Sequence, residues 1–253
     1  MPPGKAKPVL IKDTLGPILH ATVSMAAPGT SVRSAGLNTT TRGGSQQVAY
    51  QTRGSMTVDD DPAKYLTELK ANPNTPMALR MNLGYGSAWL DLTDLDVRGV
   101  DIVSGAADVF LSYKKPALYP MYRLKINSGM SNITIRNLEY AKADLVKIEN
   151  GMGDTRIVIG EQVSHKSKVS ISVGAGSCVL LIHEEAPIRL KFNDNVFSSM
   201  ELPGIFTESG SNTYVNPAVK KHPDKAVTVV VDMGIGTFTV ETYKEDRIEK
   251  DDD

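Results

Sequence analysis

The sequence predicts an all-β fold: a single-stranded, right-handed parallel β-helix of about seven coils with an N-terminal capping segment. Three observations lead to this prediction. One short apolar pattern recurs about every 21 to 24 residues between Met77 and Tyr243. Within each copy, large apolar residues alternate with polar ones, and a glycine-rich corner separates two such runs. The right hand is an expectation from the general bias of parallel crossover connections, because the pattern itself does not specify it.

The first half of each copy predicts a strand. Relative to one landmark residue per copy, the positions three and five residues earlier are large and apolar in all seven copies. The position between them is polar in six of the seven. A period of two residues is typical of a strand with one buried and one solvated face. The landmarks are Gly84, Gly105, Gly129, Gly151, Gly174, Asn195 and Gly234.

The second half of each copy predicts a corner and a further strand. The position two after the landmark is small in six copies, as expected where the backbone turns sharply. The position six after it is apolar in six copies; the exception is Glu201, and Leu202 beside it indicates a one-residue slip. Like residues in columns favour parallel, in-register stacking. An antiparallel sandwich does not require these columns, and hexapeptide or calcium-binding nonapeptide periods are absent.

The repeat divides the chain into three regions. Residues 76–243 carry the predicted β-helix, and residues 244–253 form a charged tail. Residues 1–75 read as a loop-rich segment, with a short capping helix near 62–71 where three aspartates precede a proline. Such a cap would cover the unpaired backbone at the first coil. The pattern weakens in 203–223, which is either an irregular extra coil or a long loop.

Composition excludes several classes of function. A formal net charge of −1 gives no bulk electrostatic attraction to nucleic acid, and no run of eighteen apolar residues predicts a transmembrane segment. The N-terminus does not read as a signal peptide. The protein is therefore expected in the cytoplasm or, if a leader precedes this sequence, in the cell envelope or outside the cell.

The single Cys178 is expected in the core. The four histidines lack ligand spacing, and no metal, cofactor or catalytic residue is predicted.

Two outward columns are candidate binding features. Trp89 and Phe110 lie in one of them, and exposed apolar residues there imply a cover, either the N-terminal segment or a second protomer. The other column is basic. It is expected either to bind an anionic polymer or to be an ordinary solvated sheet face. Its members are Arg80, Lys125, Lys147 and Lys191.

An acidic cluster provides the alternative, an enzymatic site. Asp91, Asp94 and Asp96 lie close together at the end of one predicted strand and in the following turn, with Asp101 nearby. Carboxylates on an outward sheet can bind calcium or act as acid and base on a polysaccharide. The later aspartates of the chain do not fall in line with this cluster, so it lacks partners in other coils.

The pattern h-x-h-x-x-G-x-small followed by h-x-h resembles that of three groups of bacterial proteins: toast-rack domains, auto-transporter adhesin head domains and LiaF-like cell-wall-active antibiotic response proteins. Leu79–Leu92, Val100–Leu111, Leu124–Ile135 and Val146–Ile159 carry this resemblance. It implies a non-enzymatic role at or near the bacterial envelope, in adhesion, scaffolding or stress signalling. It implies no catalytic residues. The sequence departs from the LiaF-like pattern by lacking membrane helices.

The leading functional hypothesis is therefore a non-enzymatic bacterial interaction or structural protein that presents a rigid β-helical surface to a protein or an envelope polysaccharide. The alternative is a polysaccharide lyase or hydrolase that uses the outward aspartates. A third hypothesis, end-to-end self-assembly, is disfavoured by the predicted cap and the charged tail. The sequence does not specify the oligomeric state.

Overall fold

A computed structural model describes residues 19–25, 30–42, 45–56, 76–193 and 195–244. In the first three ranges the strands are β1 (Leu19–Met25), β2 (Thr30–Arg42) and β3 (Ser45–Met56). Farther along, the longer strands are β4 (Met77–Asp91), β5 (Val97–Ser112), β6 (Met121–Met130), β7 (Ile133–Arg136), β8 (Ala143–Met152), β9 (Thr155–Ile159) and β10 (Lys168–His183). The remaining strands are β11 (Ile188–Asn193), β12 (Ser198–Glu201), β13 (Thr207–Gly210), β14 (Thr213–Val215) and β15 (Val227–Tyr243). A four-residue helix, α1 (Ala218–Lys221), and two 3-10 turns, Leu138–Ala141 and Pro223–Lys225, complete the described elements.

Parallel, in-register stacking of the columns is confirmed. Ile126 pairs with Ile148, and Ile148 pairs with Ile171, so residues one repeat apart are direct neighbours. The apolar positions of the alternating strands are buried in one continuous core. Cys178 is fully buried there as predicted. The alternation thus fixes which side chains face inward, since a shift by one residue would move the whole set to solvent.

The predicted fold class, a single-stranded right-handed parallel β-helix of about seven coils, is wrong, and the description as a β-helical repeat protein is corrected with it. Six strands pair in a closed ring, in the order β5, β6, β8, β10, β9, β7 and back to β5. All of these pairings are parallel, so the ring is a closed six-strand parallel β-barrel, and the other strands lie outside it.

The ring closes because two strands run unbroken through the glycine-rich corner. The first half of β5 pairs with β6 and its second half with β7. In the same way, β10 pairs with β8 and then with β9. The sequence columns specify only the neighbour of each residue, and a closed ring of parallel strands has the same neighbours as a stack of coils. Column analysis therefore could not identify the ring.

The strand order also departs from the chain order. The last strand, β15, lies between β10 and the pair β11 and β12. Glycines explain this placement. A Cβ on Gly234 would lie 2.3 Å from the carbonyl oxygen of Gly174, and a Cβ on Gly236 would lie 1.8 Å from that of Gly176. The two Gly-x-Gly corners pack directly on each other, and the copy around Asn195, which lacks both glycines, takes the outer place.

The two halves of each copy share the core. The ring of Phe192, in the first half of its copy, stacks on that of Phe238, in the second half of another, with centroids 5.9 Å apart.

Near the corner the core contains a polar ladder. In this ladder the hydroxyl of Ser104 lies 3.2 Å from the hydroxyl of Ser131, and the side-chain amide of Asn150 donates to the Ser131 carbonyl at 2.9 Å. These contacts satisfy the serine hydroxyls and the Asn150 amide nitrogen, which would otherwise be costly to bury.

Additional strands cover each end of the parallel array. Strands β1, β2 and β3 lie within the predicted N-terminal segment 1–75. β1 pairs in parallel with β4 and with β3, and β2 pairs antiparallel with β3. The capping helix expected near 62–71 lies outside the described residues and stays a prediction.

At the other end, the stretch 203–223 contains the antiparallel hairpin β13–β14, which pairs with β11 through β14. The buried amide of Asn216 holds this connection, accepting from the Ile188 N–H at 3.0 Å and donating to the Ala186 carbonyl at 2.7 Å.

The tail predicted for 244–253 is described only at Lys244, whose ammonium lies 3.6 Å from the carboxylate of Glu184. Over the described ranges, none of the helices has the length and hydropathy required to cross a bilayer.

Candidate binding surface

The aromatic pair predicted from the sequence forms on the outward face of β4 and β5. Trp89 and Phe110 are register partners, and their rings stack at a centroid distance of 4.0 Å and an angle of 11°. Trp89 is 42% exposed. On the side of β4 away from β5, the described residues include one pairing strand, β1, and it reaches only to Leu83. Among the described strands, the Trp89 ring therefore lies at an edge of the sheet, supported from one side by Phe110.

The column of Trp89 and Phe110 continues as a row of mixed character. Beyond Phe110 the pairings place Thr134, Arg156, Val179, Thr239 and Glu201. The sequence pattern, counted from the landmark, puts Met200 in this row, but Met200 pairs with Phe238 and packs against the core. The one-residue slip predicted beside Glu201 is confirmed. Aromatic character is thus confined to the first two strands of the row.

Asp91 and Asp94 each form an ion pair with a lysine from the turn after β5. Asp91 accepts the Thr93 N–H at 3.0 Å and lies 3.4 Å from the Lys114 ammonium. Asp94 lies 2.7 Å from the Lys115 ammonium. Partial burial acts to raise the pKa of Asp91, but the hydrogen bonds from Thr93 and the charge of Lys114 bring it below its ordinary value. A general acid needs a raised pKa, so the lowered pKa of Asp91 is the opposite of what this role requires.

Asp96 belongs to a separate group of contacts. Its carboxylate receives both the Nε and the Nη2 of Arg98, the second at 3.1 Å. The Arg98 guanidinium also lies over the ring of Tyr119, 4.1 Å from its centroid. These contacts join the turn before β5 to the turn after it, and they give Asp96 a structural partner. Over the ranges that the structure describes, no three His, Cys, Asp or Glu side chains come together as potential metal ligands.

The predicted basic column is interrupted by other residues. Asp101 lies between Arg80 and Lys125, and its carboxylate is 3.6 Å from Arg80 and 3.7 Å from Arg123. Lys125 and Lys147 are neighbours, but two uncharged residues separate Lys147 from Lys191. The column is therefore a solvated face with alternating charge over part of its length.

One of these lysines forms an ion pair on its own strand. The ammonium of Lys147 lies 2.7 Å from the carboxylate of Glu149. The hydrogen bond from Lys147 lowers the pKa of Glu149, and the charge of Lys125 adds to the effect. Lys147 is thereby partly neutralised as a site for an anionic ligand.

The sequence interpretation missed an apolar column at the corner itself. The position directly after each landmark is apolar in all seven copies, and none of the six side chains that the structure describes there is buried. We call these six residues the corner column. Its members are Ala106, Met130, Met152, Ala175, Ile235 and Val196. Met130, Met152 and Ile235 are 56%, 50% and 61% exposed, and Val196 and its neighbour Phe197 are exposed as well. The signal was present in the sequence as an uninterrupted run of apolar residues at one repeat position.

Within the part of the chain that the structure describes, the buried thiol and one small cavity do not form a site. Burial raises the pKa of the Cys178 thiol to about 12, which keeps it protonated and inert. A cavity of ≈ 10 Å³ beside Glu139 and His165 has room for about one water molecule. His165 lies 2.7 Å from the carboxylate of Asp144 at its surface.

Comparisons with known proteins give little further information. No family model matches the chain, and no curated protein matches it. Among solved structures, the chain is similar to a crystal structure of a "putative cell adhesion protein" from Clostridium sporogenes. The two are 12% identical over 89% of each chain, with a TM-score of 0.37. A TM-score of this size does not establish a shared fold, and the resemblance to the three envelope families stays a prediction.

Proposed function

We propose that this protein is a non-enzymatic, adhesion-type protein of the bacterial envelope that binds a polysaccharide through the exposed stacked pair of Trp89 and Phe110. The exposed stack is the observation that carries the proposal. An aromatic ring offers an apolar face to the C–H face of a sugar, and the indole N–H offers a donor at its edge. Phe110 holds the indole in place, so little side-chain entropy would be lost on binding.

Polar groups lie on both sides of this stack along the same strand face. Ser87 and Asp91 flank Trp89 at a spacing of two residues, which places all three on the outward face of β4. Asp91 is ionised and held by Lys114, so an acceptor and a donor lie next to the ring. A sugar stacked on Trp89 would find partners for its hydroxyl groups without a conformational change in the sheet.

The pairing of the acidic residues supports a binding role over a hydrolytic one. Each of the three candidate aspartates has a cationic partner: Lys114 and Lys115 from the turn after β5 for Asp91 and Asp94, and Arg98 at the start of β5 for Asp96. A glycosidase requires one protonated carboxyl group and one carboxylate on either side of the scissile bond. Carboxylates paired with lysine and arginine in this way are suited to structure and to hydrogen bonding.

Binding can be followed directly because Trp89 is the only tryptophan. We expect soluble peptidoglycan fragments or lipoteichoic acid to change its fluorescence, with a neutral dextran as reference. We expect Trp89→Ala to raise the Kd for the immobilised polysaccharide by at least about tenfold, because the stacking surface is removed. Phe110→Leu should have a smaller effect of about threefold, since it removes only the support of the ring.

Leu118→Ala is the matched control, because Leu118 is 85% exposed and lies outside this row. It should bind as the wild type does, and all three variants should have similar melting temperatures. Absence of binding to every polysaccharide would contradict the proposal. Release of reducing ends, abolished by changing Asp91, Asp94 and Asp96 to Asn together, would favour the enzymatic alternative.

A further inference from the structure

The corner column is apolar beyond what the fold requires. Its side chains point away from the core, and at exposed positions a polar residue would be accommodated equally well. The chain is 41% hydrophobic, so apolar character at this one repeat position in all seven copies is not explained by composition. Single exposed apolar residues are ordinary, but a contiguous exposed row usually marks an interaction surface.

The row crosses successive strands of one parallel array. Met130 pairs with Met152, Met152 with Ala175, and Ala175 with Ile235, and Gly129 packs on Gly105 beside Met130 and Ala106. At a strand spacing of about 4.8 Å, the six described members form a strip on the order of 25 Å long. Methionines at two of its central positions provide flexible, polarisable contacts that adapt to the shape of a partner.

The outward columns on either side of the strip contain no lysine or arginine. On the side of the first strands the residues are Asn82, Val103, Asn127, Glu149, Ser172, Asp232 and Asn193. On the side of the second strands they are Ser87, Asp108, Asn132, Asp154, Ser177, Thr237 and Ser199. Four of these fourteen residues are acidic, two on each border, and one of the four, Glu149, is paired with Lys147. The other members are uncharged, and Val103 among them is apolar.

The border aspartates beyond the corner accept hydrogen bonds from neutral donors. Asp108 accepts the Asn132 N–H at 2.9 Å, and Asp154 accepts the N–H and the hydroxyl of Ser177 at 3.2 and 2.7 Å. These hydrogen bonds orient the carboxylates and are not ion pairs. Acidic borders repel anionic lipid headgroups. Pairing of the strip with the same strip of a second copy would also bring like charges together.

We infer that the corner column is an interaction surface for a partner protein, and that the partner contributes a row of apolar side chains bordered by lysine or arginine. Apolar contacts along the strip would supply the affinity, and the acidic borders would select cationic neighbours and repel acidic ones. This surface lies on a different column from Trp89 and Phe110, so it can fail or hold independently of polysaccharide binding.

The test uses the full chain and two synthetic amphipathic peptides of equal length, one of leucine and lysine and the other of leucine and glutamate. The wild type should bind the lysine peptide at least about tenfold more tightly than the glutamate peptide in fluorescence anisotropy. Changing Met130, Met152 and Ile235 together to Ser should raise the Kd for the lysine peptide at least about tenfold. Met130→Ser and Ile235→Ser alone should each give part of this loss, and they serve if the triple variant folds poorly.

Two controls separate apolar contact from charge. Leu118→Ser removes an exposed apolar residue elsewhere on the surface and should change the Kd by less than about twofold. Asp108→Asn with Asp154→Asn should weaken binding several-fold while keeping the ladder, because Asn132 already fills an equivalent place in it.

Several outcomes would overturn the inference. These are no binding of the lysine peptide, equal binding of the two peptides, or unchanged binding by the triple Ser variant. Tighter association with phosphatidylcholine or phosphatidylglycerol vesicles than with the peptide would assign the strip to a lipid surface instead. A dimer in sedimentation that the triple variant abolishes would assign it to a second copy of this chain.

Discussion

Gly236→Ala is expected to destabilise the protein by about 4 kcal/mol or more, which is a large part of the stability of an ordinary domain. Gly236 has a φ of +135°, a conformation that alanine rarely adopts. Its Cβ would also lie 1.8 Å from the carbonyl oxygen of Gly176 on the next strand. Backbone on both sides prevents relief of this contact, so the parallel pairing of β10 and β15 would have to separate at the corner. Urea denaturation followed by circular dichroism measures the loss.

Gly204→Ala is the control for this substitution. A Cβ at Gly204 would have no atom within 4 Å, so we expect a change within about 0.5 kcal/mol. Equal midpoints of denaturation for the two variants would contradict the direct packing of the Gly-x-Gly corners. A milder loss in Gly236→Ala than in Gly204→Ala would contradict it outright.

Ile148→Asp is the second substitution with a large expected effect. Ile148 is fully buried between Ile126 and Ile171 in the centre of the array. An aspartate there would either carry a charge without a partner or take up a proton at a cost, and the apolar contacts of isoleucine would be lost. We expect a loss of about 5 kcal/mol, enough to leave much of the chain unfolded at 37 °C.

Lys147→Asp introduces the same side chain one position away on the outward face. The ion pair of Lys147 with Glu149 is solvated, with about half of each side chain exposed, so its loss and the new repulsion should cost about 1 kcal/mol. Thermal denaturation of both variants gives the comparison. Similar melting temperatures for the two would show that the inward and outward faces of β8 are assigned wrongly.

Sequence reasoning predicted the local part of this fold because alternation and columns are local signals. The inward positions of Ile126, Ile148 and Ile171, and their parallel register, follow from the two-residue period and the repeat. The closed ring does not follow from them, since each residue has the same neighbours in a ring of parallel strands and in a stack of coils. Ring closure depends on β5 and β10 continuing through the corner, and glycine is compatible with either a break or a bend there.

The position of β15 between β10 and β11 could in principle have been predicted from the sequence. Four copies, around Gly84, Gly151, Gly174 and Gly234, carry glycines at both corner positions, and the copy between the last two in the chain carries Asn195 and Phe197. Glycine is required where another backbone packs closely, and it is dispensable at the outer side. Matching the corners by their glycines places the last strand against β10. Counting repeats in chain order does not.

On the candidate surfaces, too, the residues that follow the two-residue period were predicted and the residues outside it were not. Trp89 and Phe110 point outward as the period predicts, and their stacking follows from their register. The partners of Asp91 and Asp94 lie about 20 residues farther along the chain in irregular turns, where no period indicates them. The corner column escapes an analysis by alternation because it lies where the two-residue period is interrupted. A test of each repeat position for apolar character would have found it.

Strand order is the claim on which the sheet surfaces and their columns depend most directly. Methyl-to-methyl nuclear Overhauser contacts in a deuterated, methyl-labelled sample test it. Val229 pairs with Val169 on one side and with Leu190 on the other, so strong contacts from Val229 to both are expected at separations of about 5 Å between strands. Val169 and Leu190 should show no direct contact, being about 10 Å apart. A strong contact between Val169 and Leu190, with none from Val229 to Val169, would place β11 beside β10 and contradict the structure.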